Sequence, residues 1–222
     1  MIVATMTMNE IRNEFLSDCR DVQIYCKLEL MNWNKRFSAY VRKLNKPYVF
    51  KTFSIKTFKG NLIKIIYRAK DRGHHNKPEM TFYTSFQTEK GKSFLVMTNY
   101  KEVTILTPHF VRRYRERVLE KNVSLSSEEV IEKIINKDNF ALSFRINDEL
   151  ESIAKCFDGH YKNQGNDYVT QVNSGWIFGN IDSRVRLCKT IIVEKMLNKN
   201  QKALFDEMKL MHAVLDYDKR ML

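Results

Sequence analysis

Residues 48–69 read YVFKTFSIKTFKGNLIKIIYRA, and their reading decides the fold. Two runs rich in aromatic and β-branched residues, YVFKTFSIKTF and NLIKIIYRA, flank the turn signal KGN. A period of two belongs to a strand, because successive side chains point to opposite faces of a sheet. Two such runs joined by a tight turn predict an antiparallel hairpin. The pattern continues downstream: a polar loop, KDRGHHNKPE, precedes MTFYTSFQT, the turn EKGK and SFLVMTN. EVTIL then completes a meander of about five strands, antiparallel wherever the loops are this short.

Upstream, the period is helical. Apolar side chains stand at Ile11, Phe15, Cys19, Val22, Cys26, Leu30, Trp33, Phe37, Tyr40 and Leu44, at steps of three or four that keep one stripe on one side of a helix. Nothing in the sequence breaks the run before Pro47. Unbroken, it would measure about 50 Å and would have to lie across a whole sheet or against another chain. It reads as one rod or as two helices with a kink. Packing on the sheet is the expected role; a protein partner or a homodimer through this helix is the other.

Beyond the meander the helical period returns. Thr107 is placed to cap a helix with Pro108 at its first position, running to about Glu120. SSEEVIEKII opens another, with Ser126 and Glu129 at capping-box spacing. NDELESIAKCF is a further helical piece, and DYVTQV, GWIFGN and VRLCKTIIV are strands with NIDS as a turn. The segment from Glu194 onward is a closing helix. The chain is therefore α+β: a long N-terminal helix, an antiparallel β-meander, helices, a C-terminal β-hairpin and a closing helix. The expected organisation is an amphipathic helix over 1–46 packed on a single α+β domain over 47–222.

Thirty-eight Lys and Arg stand against 26 Asp and Glu, a formal net charge of +12. An excess of this size favours a polyanionic partner, because each phosphate contact releases condensed counterions. No apolar run approaches the roughly 20 residues a bilayer span requires, and no signal-peptide pattern opens the chain, so no membrane partner and a cytoplasmic location are expected. Cys19, Cys26, Cys156 and Cys188 form no C-x-x-C pair and read as buried thiols. The pair His74-His75 has no carboxylate or cysteine at helical or turn spacing and reads as a polar loop. No P-loop, G-x-G-x-x-G, H-E-x-x-H or G-x-S-x-G is present, so neither metal nor cofactor is called for.

The densest chemistry lies in TPHFVRRYRER, Thr107 to Arg117. His109, Arg113 and Arg117 fall at steps of four on one helical stripe, beside the apolar stripe Phe110, Tyr114 and Val118. At a helix N-terminus the exposed N–H groups and the dipole disfavour imidazolium, and neighbouring guanidiniums act the same way. A neutral imidazole can serve as a general base, and two arginines can hold a phosphodiester through its transition state. RNA cleavage through the 2′-hydroxyl needs nothing more. The same stripe also suits an ordinary solvated helix face.

The spacing H-x3-R-x3-R at His109, Arg113 and Arg117, followed by SSEEVIEKI, resembles the small bacterial domains related to RelE-type ribonuclease toxins. Those domains belong to the superfamily of barnase-like, colicin-like and RelE-like nucleases. The resemblance spans at most Thr107 to Val193, within a nuclease-like portion over about 102–193. It implies a C-terminal strand with a polar residue at the active face, for which Lys189 and Thr190 in VRLCKTIIV are the counterparts. Expected nucleic-acid contacts are Arg112, Arg115, Lys162 and Arg186, with RNA favoured over DNA. Lys162 lies in the loop DGHYKNQGNDY, Trp176 reads as a core residue or a base-stacking platform, and His212 as a packed helix residue. Three functions follow: a metal-independent ribonuclease, a non-catalytic nucleic-acid-binding protein, or a structural protein of a phage or mobile element.

Overall fold

The computed structural model describes residues 2–44, 46, 49–98, 101–119, 124–138, 143–157, 159, 166–182 and 184–221, with side chains described through 210. The KGN hairpin forms as read: β1 (Val49–Lys56) pairs antiparallel with β2 (Leu62–Ala69), setting Phe50 opposite Arg68 and Thr52 opposite Ile66. β3 (Glu79–Thr88), β4 (Gly91–Met97) and β5 (Val103–Leu106) extend the meander, each antiparallel to the last.

The C-terminal strands pair as antiparallel hairpins, as read, and they are continuous with the meander. β6 (Ser143–Arg145), β7 (Asp167–Val172), β8 (Gly175–Asp182) and β9 (Val185–Ile192) join the meander in one nine-stranded sheet, in the order β1-β2-β3-β4-β5-β9-β8-β7-β6. The seam is parallel, with Val103 opposite Val185 and Leu106 opposite Cys188. Parallel neighbours need a long crossover, and the chain between β5 and β9 supplies it. β6, at three residues, is too short to show a period and was not anticipated.

The N-terminal stripe is two helices, α1 (Met8–Tyr25) and α2 (Lys27–Lys43), broken at Cys26, whose ψ of 26° leaves the helical basin. A capping box at Thr7 and Glu10 starts α1. Ile11, Phe15, Cys19 and Val22 of α1 and Phe37 and Val41 of α2 are buried against Ile63, Ile65, Tyr67, Leu95, Val103 and Ile105 on one face of the sheet. After the break Val41 turns inward while Tyr40 stays 42% exposed, so the continuous stripe expected through Tyr40 does not hold. Ile24, Tyr25, Leu28 and Met31 remain exposed around the bend.

The far end of the same face is covered by α5 (Asp148–Phe157) and α6 (Lys199–Met221): Leu150 and Ile153, with Phe205 and Met208, meet Val169, Trp176, Phe178 and Ile192. Trp176 is buried and stacks on Phe205 at 4.5 Å, a core residue and not a surface platform. On the opposite face lie α3 (Pro108–Arg117) and α4 (Ser127–Lys137), begun by Thr107 and by the Ser126–Glu129 capping box as expected. Phe110, Val111, Tyr114, Val130, Ile131 and Ile134 bury against Ile66, Tyr83, Phe94, Leu106 and Cys188. Each such side chain stabilises by roughly 1.5–3 kcal/mol when removed from water. Among the described residues no helix is long and apolar enough to cross a membrane.

Candidate functional site

Each cation of the helical stripe meets a partner of its own. His109 sits in the first turn of α3, where Arg112 Nη2 donates to its Nδ1 at 3.1 Å. A guanidinium can only donate, so Nδ1 is the acceptor and the ring proton is carried on Nε2. Arg113 Nη1 donates to Glu116 at 3.0 Å. Arg117 turns inward: Nη1 donates to the Thr190 hydroxyl at 3.2 Å and to the Ile191 carbonyl, and Nη2 to the Phe157 carbonyl at 2.9 Å. His109 and Arg117 are eight residues apart, about 12 Å along the axis. They do not close on one oxyanion.

Lys189 lies on the other side of the sheet. Phe178 pairs with Thr190 and Gly179 with Cys188, so Lys189 is the extra residue of a β-bulge. A Cβ on Gly179 would stand 2.1 Å from the Leu187 carbonyl, which is why the bulge needs glycine there. Tyr168 reaches Cys188 at 3.6 Å on the face that α3 covers, which sends Asp167 to the opposite face. Lys189 follows it there, bonding the buried Asp167 carboxylate at 3.1 and 3.2 Å. Arg186 is 3.6 Å from Glu102. Arg112 is exposed and Arg115 half-buried on α3, and Lys162 lies outside the described residues. The His-Arg-Arg-Lys set expected from the sequence is thus spread along a helix and across both faces of the sheet.

A different cluster does converge. At the sheet end where β1 begins, a groove of about 590 Å³ runs between β1–β2 and the C-terminal half of α4. Alternation puts Phe50 on the face that α4 covers, since Thr52, two residues on, bonds Glu132 of α4 at 2.9 Å. Arg68 stands opposite Phe50, and Lys70 follows it. From α4 come Lys133, Asn136 and Lys137, and Leu119 and Asn173 close the rim. Asn173 Nδ2 is anchored on the Lys137 carbonyl at 2.5 Å. The described lining thus carries four cations, Arg68, Lys70, Lys133 and Lys137, against one carboxylate, Glu79.

Arg68 is the fixed member: Nε donates to Glu79 at 2.9 Å and Nη1 to the Ile135 carbonyl at 3.0 Å, in the last turn of α4. Lys70, Lys133 and Lys137 are exposed. Beyond Arg68 lies a smaller recess of about 210 Å³, lined by Thr81, Thr98, Ile135 and Asp138. Asp138 ends α4, accepts from Tyr114 Oη at 2.7 Å and from the Ser174 amide at 2.8 Å, and is 3% exposed. Burial pushes its carboxyl above the ordinary carboxylate range, against the pull of those donors.

Sequence reasoning missed this groove because its residues come from six separate stretches, none with a motif. Elsewhere, Asp71 does stand at turn spacing from His74: it accepts from the Gly73 and His74 amides and lies 2.7 Å from His74 Nδ1. Among the described residues no three His, Cys, Asp or Glu side chains form a metal-binding group. Comparison with protein-family models, curated proteins and solved structures finds no match.

Proposed function

We propose that the chain is a nucleic-acid-binding protein that holds the phosphate backbone in the groove between β1–β2 and α4. The observation that carries the reading is the convergence of Arg68, Lys70, Lys133 and Lys137 in one concave site, with Glu79 the single opposing carboxylate among the described residues. A concave surface of one sign concentrates field lines and raises the local concentration of a polyanion. Arg68 is held by Glu79 and a helix carbonyl and supplies a fixed wall, while the three lysines supply adaptable point charges. The net charge of +12 extends the attraction beyond the groove.

The reading is one of binding through charge. It is tested by fluorescence anisotropy with labelled RNA at about 50 mM salt, where electrostatic contacts are strong. Lys133→Ala/Lys137→Ala is expected to weaken binding by about tenfold or more, while His109→Ala leaves it unchanged and the RNA stays intact. Undiminished binding by the double variant would refute the groove. RNA cut by the wild type and spared by His109→Ala would restore the ribonuclease reading.

A further inference from the structure

We infer that the groove is built for a single strand, with an unpaired base stacked on Phe50. The inference rests on the proposed nucleic-acid reading and names the class of strand that site accepts. Phe50 is an aromatic ring 36% exposed, set among cations on β1, which among the described residues is the edge strand of the sheet. The other described aromatics on that face of the sheet, Tyr83, Phe94 and Tyr168, are buried. An exposed ring beside ammonium groups fits the way single strands are bound, with charges tracking the backbone and rings accepting bases.

Size and direction agree. A groove of about 590 Å³ accommodates a nucleotide or two, and not a double helix roughly 20 Å across. The positive surface also continues out of it. Lys56 and Lys64 lie on the same face of β1 and β2 as Phe50 and Arg68, because alternation places residues 50, 52, 54 and 56, and 64, 66 and 68, on one side. Lys64 Nζ sits 5.7 Å over the Tyr83 ring. The eight residues of β1 extend about 26 Å, enough for roughly four nucleotides, at the low end of single-strand site sizes. Two carboxylates of α4 flank this path: Glu132, bonded to the Thr52 and Tyr83 hydroxyls, and Glu128, paired with Lys92 and close enough to Lys64 to feel its charge.

The experiment measures anisotropy of the full-length chain with one labelled RNA of about 12 nucleotides, alone and annealed to its complement. The single strand is expected to bind at least tenfold more tightly than the duplex. Phe50→Leu should weaken the single strand by about tenfold and leave the duplex unaffected, while Phe50→Trp restores binding. Far-UV circular dichroism of each variant checks the fold. If the duplex binds as well as the single strand, or if Phe50→Leu binds like the wild type, the inference is overturned. In that outcome a loss with Lys133→Ala/Lys137→Ala would leave the groove reading standing; no binding by any form would remove both.

Discussion

A guanidinium facing inward is a structural fastener, and Arg117 shows what that does to a reading based on spacing. Its donors join α3 to the main chain of β9 and to the end of α5, and removing them leaves carbonyls without a partner. Arg117→Ala should therefore destabilise the fold by about 2–3 kcal/mol in urea titration. RNA affinity of the folded fraction should stay at the wild-type level; a selective loss of affinity with full stability would instead place Arg117 in the interface. Lys189 makes the same point across the sheet. Truncating it leaves the buried Asp167 carboxylate without its ammonium, at an expected cost of about 3 kcal/mol. Lys189→Met with Asp167→Leu should recover part of that loss, and a double variant worse than both singles would contradict the pairing.

At the scale of elements, the sequence was most legible where local chemistry acts alone. Period two over 48–69, Thr107 with Pro108, and the Ser126–Glu129 box each fixed an element that formed as read. It was least legible where tertiary packing decides. Nothing local at Cys26 predicts the bend, because no glycine or proline stands there. The seam between β5 and β9 joins residues about eighty apart, and no local pattern records such a pairing. The groove was hidden for the same reason: Lys137 and Asn173 come beside the Phe50–Arg68 pair only when α4 settles on β1 and β2.

The end of α4 also carries a pH-dependent contribution. Burial raises the Asp138 carboxyl in the folded state above its unfolded value near 3.9, so its stabilising share is present below that pH and is lost as pH rises through the folded value. In chemical denaturation, the margin of wild type over Asp138→Asn should shrink as pH rises above the unfolded value of about 3.9. A margin that grows with pH would reverse the sign assigned here. Removing the cap with Ser126→Ala should cost α4 about 1 kcal/mol and thereby loosen one wall of the groove.

For the molecule as a whole, a nine-stranded sheet covered on both faces gives a rigid base, and the groove opens at its β1 edge. If backbone phosphates sit there, binding must weaken with salt in proportion to the contacts made. Lys133→Ala/Lys137→Ala should then lower the slope of log affinity against log salt by about 1.4, at about 0.7 per contact with a single strand. An unchanged slope would mean that these lysines touch no phosphate.

The most direct test of the central claim is to crosslink labelled single-stranded RNA to the full-length chain with ultraviolet light and map the attached peptides by mass spectrometry. The groove account predicts attachment within residues 49–70 and 133–137, lost when Phe50 is replaced by leucine. Attachment centred on His109 to Arg117, with residues 49–70 unmodified, would contradict it.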